Sequence, residues 1–251
     1  LERSQVNAYC ATKEDIKSMV KFISSYSLYA YEDEMKRGFI TMQGGHRIGV
    51  AGQVVMDGGK VLSLSNIYFL NIRVAREKRG CAKDIIPYLI HRNNIYNTLF
   101  VSPPGIGKTT YLRDAIRILS NGSDRLHGMK ISIIDERSEI AACRQGIPQN
   151  DIGIRSDVLD GCLKSFGMLL MLRSMAPQII AVDEIGSRED LAALQRIAVC
   201  GTGVLATMHG YSLKDVEDKL GKSKSLFGRF LLLTFCLLYT SPSPRDTERS
   251  R

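Results

Sequence analysis

The sequence contains no tryptophan, and its four histidines and six cysteines follow no metal-binding pattern. No two cysteines stand in a CxxC spacing, and none is spaced with a histidine as in a zinc site. We therefore expect buried thiols in a reducing compartment rather than disulfides or metal ligands. The six are Cys10, Cys81, Cys143, Cys162, Cys200 and Cys236.

The chain also lacks an apolar run that would cross a bilayer, which needs about 20 residues. Residues 231–239 are apolar but too short, and residues 240–251 are rich in serine, proline and arginine with no apolar face. Nothing near residue 1 resembles a secretory signal. We expect residues 231–251 to form a disordered or non-native tail outside the folded protein.

Basic residues are in moderate excess: 34 lysines and arginines against 26 acidic residues give a net charge of +8. Such an excess is compatible with a nucleic acid or an anionic membrane as a partner. The basic residues are nevertheless scattered, and the densest cluster, Arg73 to Lys83, is interrupted by Glu77. Binding of single strands needs a basic stripe interleaved with aromatic residues, so we expect nucleic acid not to be a partner.

The pattern of apolar residues divides the chain into two domains. Residues 1–80 combine helical spacing at 12–26 and 28–35 with strand-like runs at 39–42, 48–56, 61–64 and 71–75, which predicts a small α+β domain. In residues 81–230, apolar strands at 98–101, 131–135, 179–183 and 203–207 alternate with helices at 85–90, 111–119, 161–173 and 190–199. Continuous apolar strands between helices indicate a parallel sheet covered on both faces, an α/β domain.

The strand at 98–101 runs into Ser102-Pro103-Pro104-Gly105-Ile106-Gly107-Lys108-Thr109-Thr110, which opens a helix. This order predicts a P-loop, whose backbone N–H groups bind a polyphosphate at a helix N-terminus. Lys108 would neutralise phosphate charge, and the Thr109 hydroxyl would hold Mg²⁺. Ser102 stands where the strict motif has its first glycine. We expect residues 102–110 to bind ATP within a RecA-like P-loop NTPase core.

Ligands of open α/β sheets lie beyond the carboxyl ends of the strands, and the later strands of this chain end in suitable residues. Asp183 and Glu184 follow the strand at 179–182 as a Walker B pair. Asp183 would hold Mg²⁺ through water, and Glu184 would polarise the attacking water. Glu136, directly after Asp135, is the competing candidate for the catalytic base.

Further polar residues at the same edge carry less specific signals. Arg137 would contact phosphate or pair with an acidic neighbour. His209, after the strand at 203–207, would sense the γ-phosphate, although a single histidine is often a structural group. Arginines that would complete a neighbouring subunit's site are Arg113, Arg155, Arg173 and Arg188, although helical surface arginines are usually only solvated.

Several motifs, taken together and in order, resemble one family. They are Ser27-Leu28-Tyr29-Ala30, Gly44-Gly45-His46-Arg47-Ile48-Gly49, Asn71-Ile72-Arg73-Val74-Ala75-Arg76-Glu77, the P-loop from Ser102 to Thr110, Asp135-Glu136-Arg137-Ser138-Glu139-Ile140 and Asp183-Glu184-Ile185-Gly186. Over about residues 12–230 the chain resembles the stage III sporulation protein AA family of endospore-forming Firmicutes, which is similar to type II and type IV secretion ATPases. Ser102 matches this family's pattern, and beyond Phe230 the family is polar whereas this chain turns apolar.

The resemblance implies a Mg²⁺-dependent ATPase in the mother-cell cytoplasm, peripheral on the membrane around the forespore. It implies a homo-oligomeric ring, by similarity a hexamer, which energises an envelope-spanning channel through membrane-embedded partner proteins. It also places Glu136 in an acidic segment between the Walker motifs and His209 in a histidine-containing box. Two alternatives stay open: a RecA-like nucleic-acid-binding ATPase or helicase loader, and a nucleotide-gated assembly scaffold with slow turnover.

Overall fold

The computed structural model describes residues 9–24, 31–91, 94–124 and 126–234. The chain divides into two units, residues 1–76 and 77–251. The boundary expected from the sequence stood at residue 80. Within the described residues, no helix combines the length and the apolar character that a membrane crossing requires.

The first unit begins with helix α1, Lys13–Ile23, which a capping box starts. The Thr12 hydroxyl accepts the Asp15 N–H at 3.3 Å, and the Asp15 carboxylate accepts the Thr12 N–H at 2.7 Å. A short helix α2, Glu32–Lys36, follows. The sequence placed this second helix at 28–35, of which residues 28–30 lie outside the described part of the chain.

An antiparallel sheet completes the first unit, with strands β1 (Phe39–Thr41), β2 (Arg47–Asp57) and β3 (Lys60–Arg73) in that spatial order. The two separate strands expected at 61–64 and 71–75 are one strand, because β2 pairs with β3 along almost its whole length and a register shift at Gly52 absorbs the irregularity. His46 accepts the Ala75 N–H through Nδ1 at 3.0 Å, so its role in this unit is structural.

The second unit opens with helix α3 (Ile86–Leu89) and a two-stranded ribbon of β4 (Ile90–His91) and β5 (Asn94–Ile95). Its main sheet has six strands in the order β11-β6-β10-β9-β7-β8, all parallel. The strands are β6 (Thr98–Ser102), β7 (Ile131–Asp135), β8 (Ser156–Asp160), β9 (Ile179–Val182), β10 (Gly203–His209) and β11 (Arg229–Leu232). The expected parallel α/β architecture is confirmed.

Helices cover both faces of this sheet, and successive strand residues supply two separate apolar cores. Along β6, Phe100 packs into one core with Leu112, whereas Leu99 and Val101 pack into the other with Leu194. This alternation follows from the pleat of a strand that is buried on both sides. The helices are α4 (Lys108–Asn121), α5 (Lys164–Ser174), α6 (Arg188–Val199) and α7 (Leu213–Leu220), and a 3-10 helix spans Gly221–Leu226.

Several elements of this unit were not predicted from the sequence: β8, α7 and β11, and the short β4, β5 and 3-10 helix. Strand β8 reads Ser-Asp-Val-Leu-Asp, and the polar residues at its two ends leave only two apolar residues, too few for the apolar run that indicated the other strands. Strand β11 corrects the expected start of the tail, because it continues to Leu232 beside β6 and Leu233 is only 2% exposed. Residues 235–251 lie outside the described part of the chain.

The structure corrects the expectation that all the cysteines are buried. All five described cysteines are free thiols, but only Cys143 is buried, whereas Cys10 and Cys200 are exposed. Burial raises the pKa of Cys143 to about 12 and that of the half-buried Cys81 to about 11, so both thiols stay protonated at neutral pH. Cys236 lies outside the described residues.

Candidate functional site

The loop between β6 and α4 has the geometry of an anion cradle. Gly105 and Gly107 have φ values of +78° and +106°, in the left-handed region that favours glycine. No side chain among the described residues caps α4, whose N-cap is Gly107. The first N–H groups of α4 therefore remain available to an anion, and the positive end of the helix dipole adds to the attraction.

A cavity of about 370 Å³ opens in front of this loop. Its lining comes from the loop and the first turn of α4, from Arg137 and Glu139 after β7, and from Asp183 and Glu184 after β9. All three segments lie at the carboxyl edge of the parallel sheet. The cavity thus collects the P-loop residues Pro104, Gly105, Gly107, Lys108, Thr109 and Thr110, which the sequence analysis had assigned to binding.

Three other residues of the predicted binding loop lie outside this lining. Ser102 is fully buried, and its hydroxyl donates to the Pro103 carbonyl at 2.8 Å. Ile106 is 2% exposed and packs in the core beneath the loop. The buried Ser102 and Ile106 therefore help to hold the loop in place, and Pro103 is the third residue outside the lining.

A hydroxyl–carboxylate cluster joins the P-loop to the neighbouring strands. The Thr109 hydroxyl donates to Asp183 Oδ2 at 2.7 Å. Thr207, buried at the end of β10, donates to Asp183 Oδ1 and accepts the Glu184 N–H at 2.7 Å. The sequence analysis placed Thr207 at a strand end but did not assign it this double contact, because that depends on β10 lying beside β9.

Glu184 has an unusual backbone and a defined partner. Its φ of +50° lies in the left-handed region, which a non-glycine residue occupies only at a cost of about 1 to 3 kcal/mol. Its carboxylate accepts from Arg137 Nη1 at 3.0 Å. Of the two alternatives for Arg137, a phosphate contact or an acidic neighbour, the structure shows the second.

The loop after β7 is held from both sides. Asp135 is 1% exposed and accepts the backbone N–H groups of Glu139, Ile140 and Ala141 at 2.8–3.0 Å. Burial raises the pKa of Asp135 to about 6, against the lowering effect of these three donors. Arg113 donates to the Glu139 and Ile140 carbonyls, both at 2.6 Å.

Glu136, the competing candidate for the base, is not part of the lining of this cavity, although it shares a smaller adjoining one with Asp183 and Glu184. Its carboxylate pairs with Lys164 Nζ at 2.5 Å. It lines a neighbouring cavity of only about 10 Å³, close to the minimum that holds one water. The Glu136–Lys164 pair was not predicted from the sequence, because Lys164 begins α5 after β8, the strand without an apolar run.

His209 sits at the end of β10 but outside the cavity lining. It pairs in register with Ser102 on β6, and its Nδ1 lies 3.2 Å from the Ser102 carbonyl oxygen. The ring also makes an edge contact with Tyr211. His209 therefore contacts Ser102 at the start of the phosphate loop but does not line the cavity.

Two of the four arginines predicted as candidates for a neighbour's site make hydrogen bonds within their own chain. Arg113 supports the loop after β7, as described above, and Arg155 donates to the carbonyls of Ser120 and Asn121. Arg173 and Arg188 are exposed. Arg188 begins α6 at the carboxyl edge of the sheet, whereas Arg173 lies near the end of α5, at the opposite edge.

Comparison with known proteins identifies relatives in sequence. The family model described as sporulation stage III, protein AA matches residues 1–242, which include the first part of the expected tail. Stage III sporulation protein AA of Bacillus subtilis (strain 168) is 46% identical over 212 residues, covering 84% of this chain and 69% of the relative. Protein SEEDLING PLASTID DEVELOPMENT 1 of Arabidopsis thaliana is 31% identical over 149 residues, or 59% of this chain and 21% of that protein.

Solved structures share the fold at low identity. The Legionella pneumophila ATPase DotB superposes with a TM-score of 0.56 at 18% identity, over 86% of this chain and 59% of that one. The pilus retraction motor PilT with bound ADP gives 0.57 at 15% identity, over 88% and 66%. This chain thus spans less than two thirds of either structure, and the likeness shows the P-loop ATPase fold alone. From the family model and the Bacillus subtilis relative, the chain belongs to the sporulation stage III protein AA family.

Proposed function

We propose that this protein is a Mg²⁺-dependent ATPase. The observation that carries the proposal is the Thr109–Asp183 hydrogen bond of 2.7 Å at the edge of a cavity that Lys108 and Glu184 also line. A phosphate-binding loop, a lysine, a hydroxyl–carboxylate pair and a second carboxylate are the groups that ATP hydrolysis requires. Here they come from two segments of the chain, the loop with the start of α4 and the residues directly after β9.

The residues present fit both cofactors. Positive φ at Gly105 and Gly107 leaves the loop backbone free to approach phosphate oxygens, with no Cβ in the way. Oxygen ligands are what Mg²⁺ prefers, and the adjacent Thr109 hydroxyl and Asp183 carboxylate would hold it. When bound, the ion would neutralise charge that develops on the phosphates.

Each side chain has a defined task in this proposal. Lys108 neutralises the terminal phosphates, and the N–H groups of the loop and of α4 bind the rest. Glu184 orients the attacking water, because its carboxylate faces the cavity. Thr207 holds Asp183 and the Glu184 backbone in their relative positions.

The relatives support a wider role for this ATPase. Because the family is a sporulation family, we propose that the protein energises an envelope-spanning channel between mother cell and forespore. It would act from the mother-cell cytoplasm, peripheral on the membrane and in contact with membrane-embedded channel proteins. DotB is an ATPase and PilT is a pilus retraction motor. A homo-oligomeric ring, by resemblance a hexamer, would be the working form of this protein.

Measuring phosphate release by the Lys108→Ala variant tests the proposed ATPase activity. We expect turnover to fall to background, whereas Lys214→Ala, an exposed lysine on α7, retains it. Undiminished release from Lys108→Ala would overturn the proposal. Nucleotide-dependent assembly with negligible hydrolysis in the unaltered chain would favour the scaffold instead, and strong stimulation by single-stranded DNA would favour the nucleic-acid-binding alternative.

A further inference from the structure

A salt bridge links two segments that line the nucleotide cavity. Arg137 Nη1 lies 3.0 Å from Glu184 Oε2, and the two residues belong to the loop after β7 and the segment after β9. The two side chains are 63% and 46% exposed. An ion pair this exposed contributes little to stability, so its position at the cavity is more informative than its strength.

The backbone on both sides of this pair is held by other contacts. Glu184 has a left-handed φ of +50°, and its N–H donates to Thr207. The Arg137 loop is anchored by the three N–H donors to Asp135 and by Arg113 on its carbonyls. Because hydrogen bonds hold both backbone segments, an exchange of partners needs only the two side chains to turn.

A triphosphate in the cavity would compete for the guanidinium. Arginine presents a planar fork of donors that binds phosphate oxygens at two points, and such charge-assisted hydrogen bonds are about twice as strong as neutral ones. The added negative charge would at the same time repel the Glu184 carboxylate. Both effects favour replacement of Glu184 by the triphosphate as the partner of Arg137.

We propose that Arg137 senses the terminal phosphate: it holds Glu184 while the site is empty and releases it when a triphosphate binds. The inference rests on the proposed ATPase function and adds a regulation of that site. Glu184 then becomes free to orient water only in the loaded site. Arg137 is a positioning residue toward Glu184 and a binding residue toward the γ-phosphate.

This exchange predicts opposite effects of two substitutions on binding. Arg137→Ala removes the group that distinguishes triphosphate from diphosphate, so affinity for a non-hydrolysable ATP analogue falls about tenfold while affinity for ADP stays constant. Glu184→Gln removes the competing carboxylate, so the analogue binds several-fold more tightly. Both side chains are exposed at the cavity, and neither change removes a core contact.

Calorimetric titration of the analogue and of ADP with Mg²⁺ measures both affinities. A double-mutant cycle then shows whether the effects of the two substitutions depend on each other. In the Arg137→Ala background, Glu184→Gln should tighten binding of the analogue less than in the unaltered chain, because competition for Arg137 is gone and only the charge repulsion remains to be relieved. Arg196→Ala, an exposed arginine on α6 outside the cavity lining, serves as the control and should leave both affinities unchanged.

Two results would overturn the inference. One is an unchanged ratio of analogue to ADP affinity in Arg137→Ala. The other is a Glu184→Gln effect of equal size with and without Arg137. These outcomes differ from failure of the proposed function, in which the unaltered chain would bind neither nucleotide or would release no phosphate.

Discussion

The Thr109 hydroxyl and the Asp183 carboxylate lie 2.7 Å apart although 74 residues separate them in sequence. Thr109 lies in the first turn of helix α4, and Asp183 directly follows strand β9. Strand β10 lies between β6 and β9 in the sheet, so the Thr109–Asp183 hydrogen bond spans β10. Thr207 on β10 donates a second hydrogen bond to Asp183. The phosphate loop is thereby attached to the two strands that carry the remaining chemistry.

Thr109→Val tests this attachment. The substitution keeps the volume but removes the hydroxyl that donates to Asp183 and that would hold Mg²⁺. We expect phosphate release to fall by at least about 100-fold, in line with loss of a positioned catalytic contact, with little change in melting temperature. Thr202→Val, at the opposite edge of the sheet, is the matched control. Full activity in Thr109→Val would contradict the assignment.

Thr207→Val is expected to affect stability as well as activity. The hydroxyl is buried, and its removal leaves the Glu184 N–H without its acceptor and Asp183 without one donor. An unsatisfied buried group costs about 1 to 3 kcal/mol. Urea unfolding should show that loss, and phosphate release should fall because the left-handed Glu184 loses its anchor. A variant with unchanged unfolding free energy would argue against this role.

Much of this site could be predicted from local sequence. The P-loop and the Asp183-Glu184 pair are contiguous motifs directly after apolar strands, so residue order alone indicated their chemistry. The partners were harder to predict, because Thr207, Lys164 and Arg113 reach the site from elements distant in the chain. Their contacts depend on strand order in the sheet, which a single sequence does not encode locally.

The secondary structure was likewise predicted only where the local sequence pattern was clear. Strands β6, β7, β9 and β10 are buried runs and were found, whereas β8 was missed because polar residues interrupt it. The single strand β3 was divided in two because its sequence breaks the pattern at Ser65 and Asn66, next to the register shift. In each case pairing with a neighbouring strand overrode the local pattern.

The buried carboxyl of Asp135 predicts a pH dependence of stability. Its folded-state pKa, raised to about 6 by burial, lies above the ordinary value of 3.8. The protonated form is therefore favoured in the folded chain, and the stabilisation is full below about pH 4 and is lost as pH rises through about 6. At 1.36 kcal/mol per pKa unit the loss is about 3 kcal/mol.

Urea unfolding of the unaltered chain and of Asp135→Asn between pH 4 and 7 measures this contribution. Because asparagine does not titrate, the stability of the unaltered chain relative to the variant should decrease as pH rises through this range. A relative stability that increases with pH would mean that the three N–H donors outweigh burial.

The choice between the two candidate bases is also open to a direct test. Glu184 lines both the cavity of about 370 Å³ and the adjoining one of about 10 Å³, whereas Glu136 pairs with Lys164 and belongs to the lining of the smaller one. A base must reach the attacking water, and only the larger cavity has room for both water and phosphate. We therefore expect Glu184→Gln to lower kcat by at least about 100-fold and Glu136→Gln by less than about tenfold.

The two substitutions serve as controls for each other, because each removes one negative charge at nearly constant volume. Glu136→Gln also weakens the bond to Lys164, so its melting temperature should fall slightly more than that of Glu184→Gln. If Glu136→Gln instead abolishes phosphate release while Glu184→Gln retains it, the small cavity must open on nucleotide binding and Glu136 is the base. Single-turnover measurements with saturating ATP and Mg²⁺ separate this outcome from an effect on binding, since they report the chemical step directly.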